Sequence, residues 1–259
     1  MGYLFATGWV ACCLAQKGPF SAHFFDRSAA MSCKNPLRLA KNGLFFVSDT
    51  ALASYNYASY PPRQRAPQTV AILPIMTDST VIAQTSHWIN TVVIGCNFCP
   101  FAAKSMLRKS VRCVVIQNAT LKSALSSVED ELRYLDQTAD IETTLLIFPG
   151  QFSDFSDYLD LVEMAEDVTV EQGYEGIYQL ASFHPAYCFD GATDDDPANY
   201  TNRSPYPMLH LLREDSITKA LRHFIDPEGI PARNIAFAQE KGMVYMQSLR
   251  AACFEVLGK

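Results

Sequence analysis

From Met76 onward, apolar residues recur at the intervals expected of helices. The first predicted helix begins at Asp78 or Ser79, either of which could cap it, and ends at Gly95, because the apolar residues between them fall at helical spacing. A short second helix is predicted to carry Pro100 in its first turn. Two further helices are predicted from the apolar stripes formed by Leu121, Leu125, Val128, Leu132 and Leu135, and by Phe155, Leu159 and Val162.

Three shorter runs, rich in apolar and β-branched residues, alternate with these helices. They span residues 111–116, 143–148 and 177–183, and each has the composition of a buried strand. The alternation predicts an α/β fold: a small, mostly parallel sheet of three or four strands flanked by helices, with a C-terminal helical segment after Arg213. Ligands of such sheets bind beyond the carboxyl ends of the strands. The loop after residue 183 is therefore the expected place for a site.

The distribution of charge divides the chain near Met76. Residues 1–75 contain seven Lys or Arg and two acids, which leaves 14 of the 21 bases and 25 of the 27 acids to residues 76–259. The first segment lacks periodicity and ends in a Pro-rich stretch typical of a linker. It is interpreted as a poorly structured extension or a mis-called start, with a secretory signal or an organellar transit peptide as alternatives. Residues 76–259 are expected to form a single α/β domain.

The overall composition argues against several classes of partner. A net charge of -6 disfavours a nucleic-acid-binding surface, which requires clustered Lys and Arg. No apolar run reaches the roughly 18 residues of a membrane-spanning helix, so a membrane is not an expected partner. The eight cysteines show no repeated spacing, which indicates reduced thiols and a cytoplasmic location, although organellar targeting by residues 1–75 stays open. The sequence does not indicate an oligomeric state.

The segment between the third strand and residue 213 concentrates side chains suited to chemistry. His184 leaves the strand and His210 is expected to enter a short helix, so the two imidazoles are predicted to converge as acids, bases or metal ligands. Asn202, Arg203 and Arg213 suit recognition of a carboxylate or phosphate, because guanidinium donors match such groups bidentately. The alternative is that these polar residues satisfy carbonyl groups of a proline-stiffened loop.

Cys99 is the candidate nucleophile. It precedes a predicted helix, whose N-terminus can lower the pKa of a thiol, and it forms a C-x-x-C spacing with Cys96. A thioredoxin-like motif should follow a strand, whereas this one follows a helix. The spacing therefore leaves three alternatives open: a redox pair, a single functional thiol, or buried packing residues.

Several stretches together resemble the bacterial family known as domain of unknown function 1415. They are residues 93–102, 143–146, 181–185, 199–213 and 230–235, within a likeness that runs from about 76 to about 247. The block 199–213 is the longest and most specific. The family pattern implies a cysteine at the Cys99 position and an apolar residue where Cys96 stands, which argues against C-x-x-C redox chemistry. It also implies a start near Met76, but it implies no activity.

The leading hypothesis from the sequence is an enzyme that acts on a small anionic metabolite. In it, Cys99, His184 and His210 are catalytic, and the residues that bind the ligand are Asn202, Arg203 and Arg213. The alternative is a non-catalytic module that binds an anionic ligand or a partner protein, with the same residues stabilising the loop. The sequence does not identify a cofactor or a metal, although the acidic run 194–196 could supply a carboxylate ligand.

Overall fold

A four-stranded sheet lies between two layers of helices in the computed structural model, which describes residues 76–222 and 224–258. The strands are β1 (Val111–Val115), β2 (Thr143–Ile147), β3 (Tyr178–Phe183) and β4 (Met208–Arg213). The helices are α1 (Asp78–Trp88), α2 (Ala102–Leu107), α3 (Leu121–Gln137), α4 (Phe155–Glu171), α5 (Glu214–Leu221) and α6 (Ile230–Ala252). The extension predicted over residues 1–75 lies outside the described residues.

Three shorter helical segments complete the fold. A π-helix, Ile89–Ile94, continues α1 up to Gly95, which confirms the predicted end of the first helix. Two 3₁₀ helices span Pro197–Thr201 and Cys253–Glu255. The N-cap of α1 is Thr77, whose hydroxyl accepts a hydrogen bond from the Thr80 backbone, so the prediction of Asp78 or Ser79 as the cap was wrong by one or two residues.

The strand order β1-β2-β4-β3 corrects the prediction of a mostly parallel sheet. Only β1 and β2 pair in parallel, whereas β4 pairs antiparallel with both β2 and β3. The difference arises at residues 208–213, which were expected to begin a short helix and instead form a strand inserted between two others. Because β4 is reversed, β1, β2 and β3 still point the same way, and their carboxyl ends share one edge of the sheet.

Alternation along the strands gives the sheet two apolar faces. The first face carries Leu145, Phe183 and Met208, and packs against α1, the π-helix and α6. The second face carries Leu146 and Leu209, and packs against α3 and α4. Burial of both faces explains why the strands read as nearly continuous apolar runs. No helix among the described residues is long and apolar enough to cross a membrane.

Candidate anion-binding site

A long loop, residues 184–207, leaves the shared carboxyl edge at the end of β3 and returns to β4. Asn199, which is fully buried, holds this loop together from within. Its side-chain oxygen accepts a hydrogen bond from the Phe189 backbone at 3.0 Å, and its amide donates to the Thr193 carbonyl at 2.8 Å. These bonds replace the backbone ladder that a loop lacks, so the side chains on it are held in fixed positions.

Arg203 is anchored by the loop that carries it. Its Nε donates to the Tyr187 carbonyl at 2.9 Å and one Nη donates to the Asp194 carbonyl at 3.0 Å. The guanidinium lies over the ring of Tyr200, 4.9 Å from its centroid, which is the geometry of a cation–π contact. One edge of the guanidinium is thus used by the loop, and the side chain is only partly buried.

Arg250, in the last turn of α6, reaches the same tyrosine. Its Nε donates to the Ser204 carbonyl at 2.9 Å, and its guanidinium interacts with the Tyr200 hydroxyl. Burial lowers the pKa of Arg250, and the neighbouring charge of Arg203 lowers it further. The two arginines and Tyr200 form a cluster that we call the arginine pair.

The arginine pair has no carboxylate partner in the part of the chain that the structure describes. Every ion pair found there involves other bases, such as Arg112 with Glu131 and Arg108 with Glu142. Two half-buried positive charges are therefore placed together without a carboxylate, which costs free energy unless an anion neutralises them or water solvates them. Arg203 was predicted from the sequence as a ligand-binding residue, whereas Arg250 and Tyr200 were not.

His184 lies behind the arginine pair but has no free ring nitrogen. Its Nε2 donates to the Phe152 carbonyl at 2.8 Å, and its Nδ1 accepts from the Ala186 backbone at 3.0 Å, so the imidazole is neutral. Burial lowers the pKa of His184 to about 4, and the charges of Arg250 and Arg203 contribute to the shift.

The carbonyl that His184 binds belongs to a strained residue. Phe152 has φ 56°, the left-handed region that a bulky side chain rarely adopts. Its ring packs edge-on against Phe148 with 5.3 Å between centroids. The ring contact and the bond from His184 together stabilise this conformation, so His184 holds the loop between β2 and α4.

His210 lies on the other side of the sheet, which corrects the prediction that the two histidines converge. It sits in β4, two residues after Met208, and therefore points to the first face. His184 follows Phe183 and contacts Tyr158 of α4, with 4.9 Å between ring centroids, on the second face. The sheet itself separates the two imidazoles.

The bonds of His210 also fix its protonation. Its Nε2 lies 2.5 Å from the Thr143 hydroxyl, and that hydroxyl donates its proton to the Leu211 carbonyl, so Nε2 is the donor. Burial lowers the pKa of His210 to about 3. A neutral histidine enclosed in the sheet is placed to pair strands rather than to contact a ligand.

Cys99 is a buried thiol, only 4% exposed. Backbone N–H groups of Phe101 and Ala102 point at its sulfur, as the helix-start argument expected, but burial outweighs them and raises the pKa of Cys99 to about 12. Cys96 is also buried and its pKa is raised to about 11. A thiol with such a pKa is almost entirely protonated at neutral pH, so neither sulfur is placed as an activated nucleophile.

Arg213 is remote from Arg203. Arg203 precedes β4, whereas Arg213 is the last residue of that strand, and a six-residue strand spans roughly 17 Å. Arg213 donates to the carbonyls of Leu135, Thr138 and Ile141, and so caps the C-terminus of α3. The prediction that Arg203 and Arg213 together bind one ligand was therefore wrong.

Asn202 is fully buried inside the loop, and its side chain does not reach the loop surface. Its side-chain oxygen accepts from the Thr201 hydroxyl at 3.1 Å, and its carbonyl accepts from the His184 backbone at 3.3 Å. The acidic run 194–196 also bonds within the loop. Asp196 caps the 3₁₀ helix, and the Asp195 carboxylate accepts a hydrogen bond from the Thr193 hydroxyl. Within residues 76–222 and 224–258, no group of three His, Cys, Asp or Glu side chains could hold a metal ion.

Comparison with known proteins adds a family but no activity. The model of a family described as Protein of unknown function (DUF1415) matches residues 80–248. No curated protein and no solved structure matches the chain. The match spans the sheet, the loop and most of α6, and it ends two residues before Arg250.

Proposed function

We propose that this chain, which belongs to the family of proteins of unknown function DUF1415, binds a small anionic ligand at the arginine pair. The observation that carries the proposal is the meeting of Arg203 and Arg250 at Tyr200 without a carboxylate among the described residues. Guanidinium groups bind phosphates and carboxylates through paired, charge-assisted hydrogen bonds, which are about twice as strong as neutral ones.

The unused donors of the pair favour a ligand with several oxygens. Arg203 uses Nε and one Nη on the loop, and Arg250 uses Nε on Ser204 and a further contact on the Tyr200 hydroxyl, so each guanidinium keeps an Nη group that these contacts do not use. A planar carboxylate is satisfied by one guanidinium fork, whereas a phosphate has enough oxygens to accept from both side chains. A phosphate-bearing ligand is therefore the form of anion that suits the pair best.

The arrangement favours binding over catalysis. The enzyme hypothesis depended on Cys99, His184 and His210. Backbone groups engage the Cys99 sulfur and both ring nitrogens of His184, and Thr143 engages Nε2 of His210. None of the three is placed to touch an anion at the arginine pair. The non-catalytic module is accordingly the proposal, and it also accommodates a partner protein that presents a phosphate or carboxylate to the same groups.

Thermal unfolding in the presence of inorganic phosphate tests the proposal. A ligand that binds only the folded state stabilises it by RT ln(1 + [L]/Kd), so the melting temperature should rise with phosphate concentration. Chloride at matched ionic strength is the control, because general screening of two like charges would stabilise the protein in either salt. Equal melting curves in phosphate and chloride would refute an anion site, and conversion of a bound phosphate ester into product would favour the enzyme instead.

A further inference from the structure

Helix α6 is interrupted at Gly242, whose backbone angles are φ 78° and ψ 167°. This conformation is essentially restricted to glycine. A Cβ added to Gly242 would meet no atom within 4 Å, so the position has room for a side chain but not the backbone angles for one. The residues on either side are helical, which divides α6 into two helices joined by one glycine with a positive φ.

The two halves of α6 make different buried contacts with the domain. In the first half, Asn234 donates to the Phe98 carbonyl at 2.7 Å and Phe237 packs edge-on against Phe98. In the second half, Met246 is buried and Arg250 donates to the Ser204 carbonyl. The first half holds the turn that follows the π-helix, and the second half completes the arginine pair.

An unbroken helix could not make both attachments. Each residue of an α-helix turns by about 100°, so Asn234 and Arg250, sixteen positions apart, would point about 160° away from each other. Tyr245, eleven positions after Asn234, would share its side of an unbroken helix to within about 20°, yet Tyr245 is 41% exposed. The break at Gly242 changes the rotation of the second half and brings Arg250 onto the domain.

We infer that Gly242 is a positioning residue of the anion site, which acts by turning Arg250 toward Ser204 and Tyr200. The effect on ligand binding rests on the proposed function, whereas the effect on the orientation of Arg250 does not. Gly242→Ala tests the inference, because the added methyl meets no atom and acts only through the backbone. Gly173→Ala is the matched control: Gly173 has φ 76° with equal room, and it follows α4, away from the arginine pair.

Two measurements on full-length protein separate the possibilities. Gly242→Ala should weaken phosphate binding about as much as Arg250→Gln does, roughly tenfold, and the double variant should bind no more weakly than either single variant. Independently of ligand, the Arg250 Nε–H resonance should show slow solvent exchange in wild type and Gly173→Ala, owing to its bond to Ser204, and fast exchange in Gly242→Ala.

Several results would overturn the inference. One is a protected Arg250 Nε–H in Gly242→Ala, and another is phosphate affinity equal to that of wild type. If Gly242→Ala fails to fold while Gly173→Ala folds, Gly242 is required for folding of the whole domain, and a specific role in orienting Arg250 is overturned. If wild type binds no phosphate but Arg250 Nε–H is lost in Gly242→Ala, the proposed function fails while the positioning role stands.

Discussion

His184 and His210 lie on opposite faces of one sheet. Each imidazole is neutral and hydrogen-bonded to a neighbouring residue, and breaking either bond would cost free energy. His184 binds the strained Phe152 carbonyl, and His210 binds Thr143 across two strands. Two residues predicted from the sequence to converge therefore lie apart, and the positive charge of the domain's loop edge comes from Arg203 and Arg250.

Stability should fall as pH decreases from 6.5 toward 4, because both histidines are buried in the neutral form. Their folded pKa values, about 4 for His184 and about 3 for His210, lie below the unfolded value of about 6.5. The stabilisation is thus complete above pH 6.5 and is lost as pH falls through the folded values, on the order of 3 kcal/mol per histidine. Urea unfolding at intervals from pH 7.5 down to pH 4 measures the loss.

The number of protons that the protein binds on unfolding shows whether the histidines cause this pH dependence. Each histidine binds a proton on unfolding near pH 5, whereas Glu166, whose pKa burial raises to about 7, releases one, so the slope in wild type should lie below that of two protons. His184→Gln should lower the slope by about one proton relative to wild type, whatever its cost in stability. An unchanged slope in His184→Gln would show that this imidazole is not held neutral.

Arg213→Lys should destabilise the domain by about 2–3 kcal/mol without affecting phosphate binding. Lysine keeps the charge but cannot donate to Leu135, Thr138 and Ile141 together, so carbonyls at the end of α3 lose their partner. Arg133→Lys, on the exposed side of the same helix, is the control and should change stability by less than about 0.5 kcal/mol. Weaker phosphate binding by Arg213→Lys would place Arg213 in the site after all.

Cys188 should be alkylated before the other described cysteines. It is partly exposed, whereas Cys99 and Cys96 are buried and have raised pKa values, and burial also raises the pKa of Cys113 to about 11. Peptide mapping after brief treatment with iodoacetamide at pH 7.5 would give the order of labelling. Rapid labelling of Cys99 would restore it as a candidate nucleophile and revive the enzyme hypothesis.

Helices and strands were predictable from the sequence where the burial of one apolar face determined the local structure. The stripe from Leu121 to Leu135 became α3 and the apolar run from 143 became β2, because burial of an apolar face decides both. Strand β4 was missed because His210 and Arg213 interrupt its apolar pattern. Both side chains bond to residues distant in sequence, Thr143 and the end of α3, which no local pattern contains.

Arg250 was missed for a related reason. An arginine on the buried side of a helix, four residues after the buried Met246, is the signal that could have identified it. The break at Gly242 hides that signal, since the spacing from Asn234 in the first half no longer predicts which side faces the domain. The location of the loop at the carboxyl edge was predictable, but the second charge brought to it by α6 was not.

Calorimetric titration with inorganic phosphate tests the central claim most directly. At pH 7.5 and low ionic strength, wild type should show saturable binding at one site, and Arg250→Gln should bind about tenfold or more weakly, the loss expected for charge-assisted hydrogen bonds. Arg233→Gln removes the same charge from an exposed position on the same helix and should bind like wild type. Absence of saturable heat in wild type, or equal affinity in wild type and Arg250→Gln, would contradict an anion site at the arginine pair.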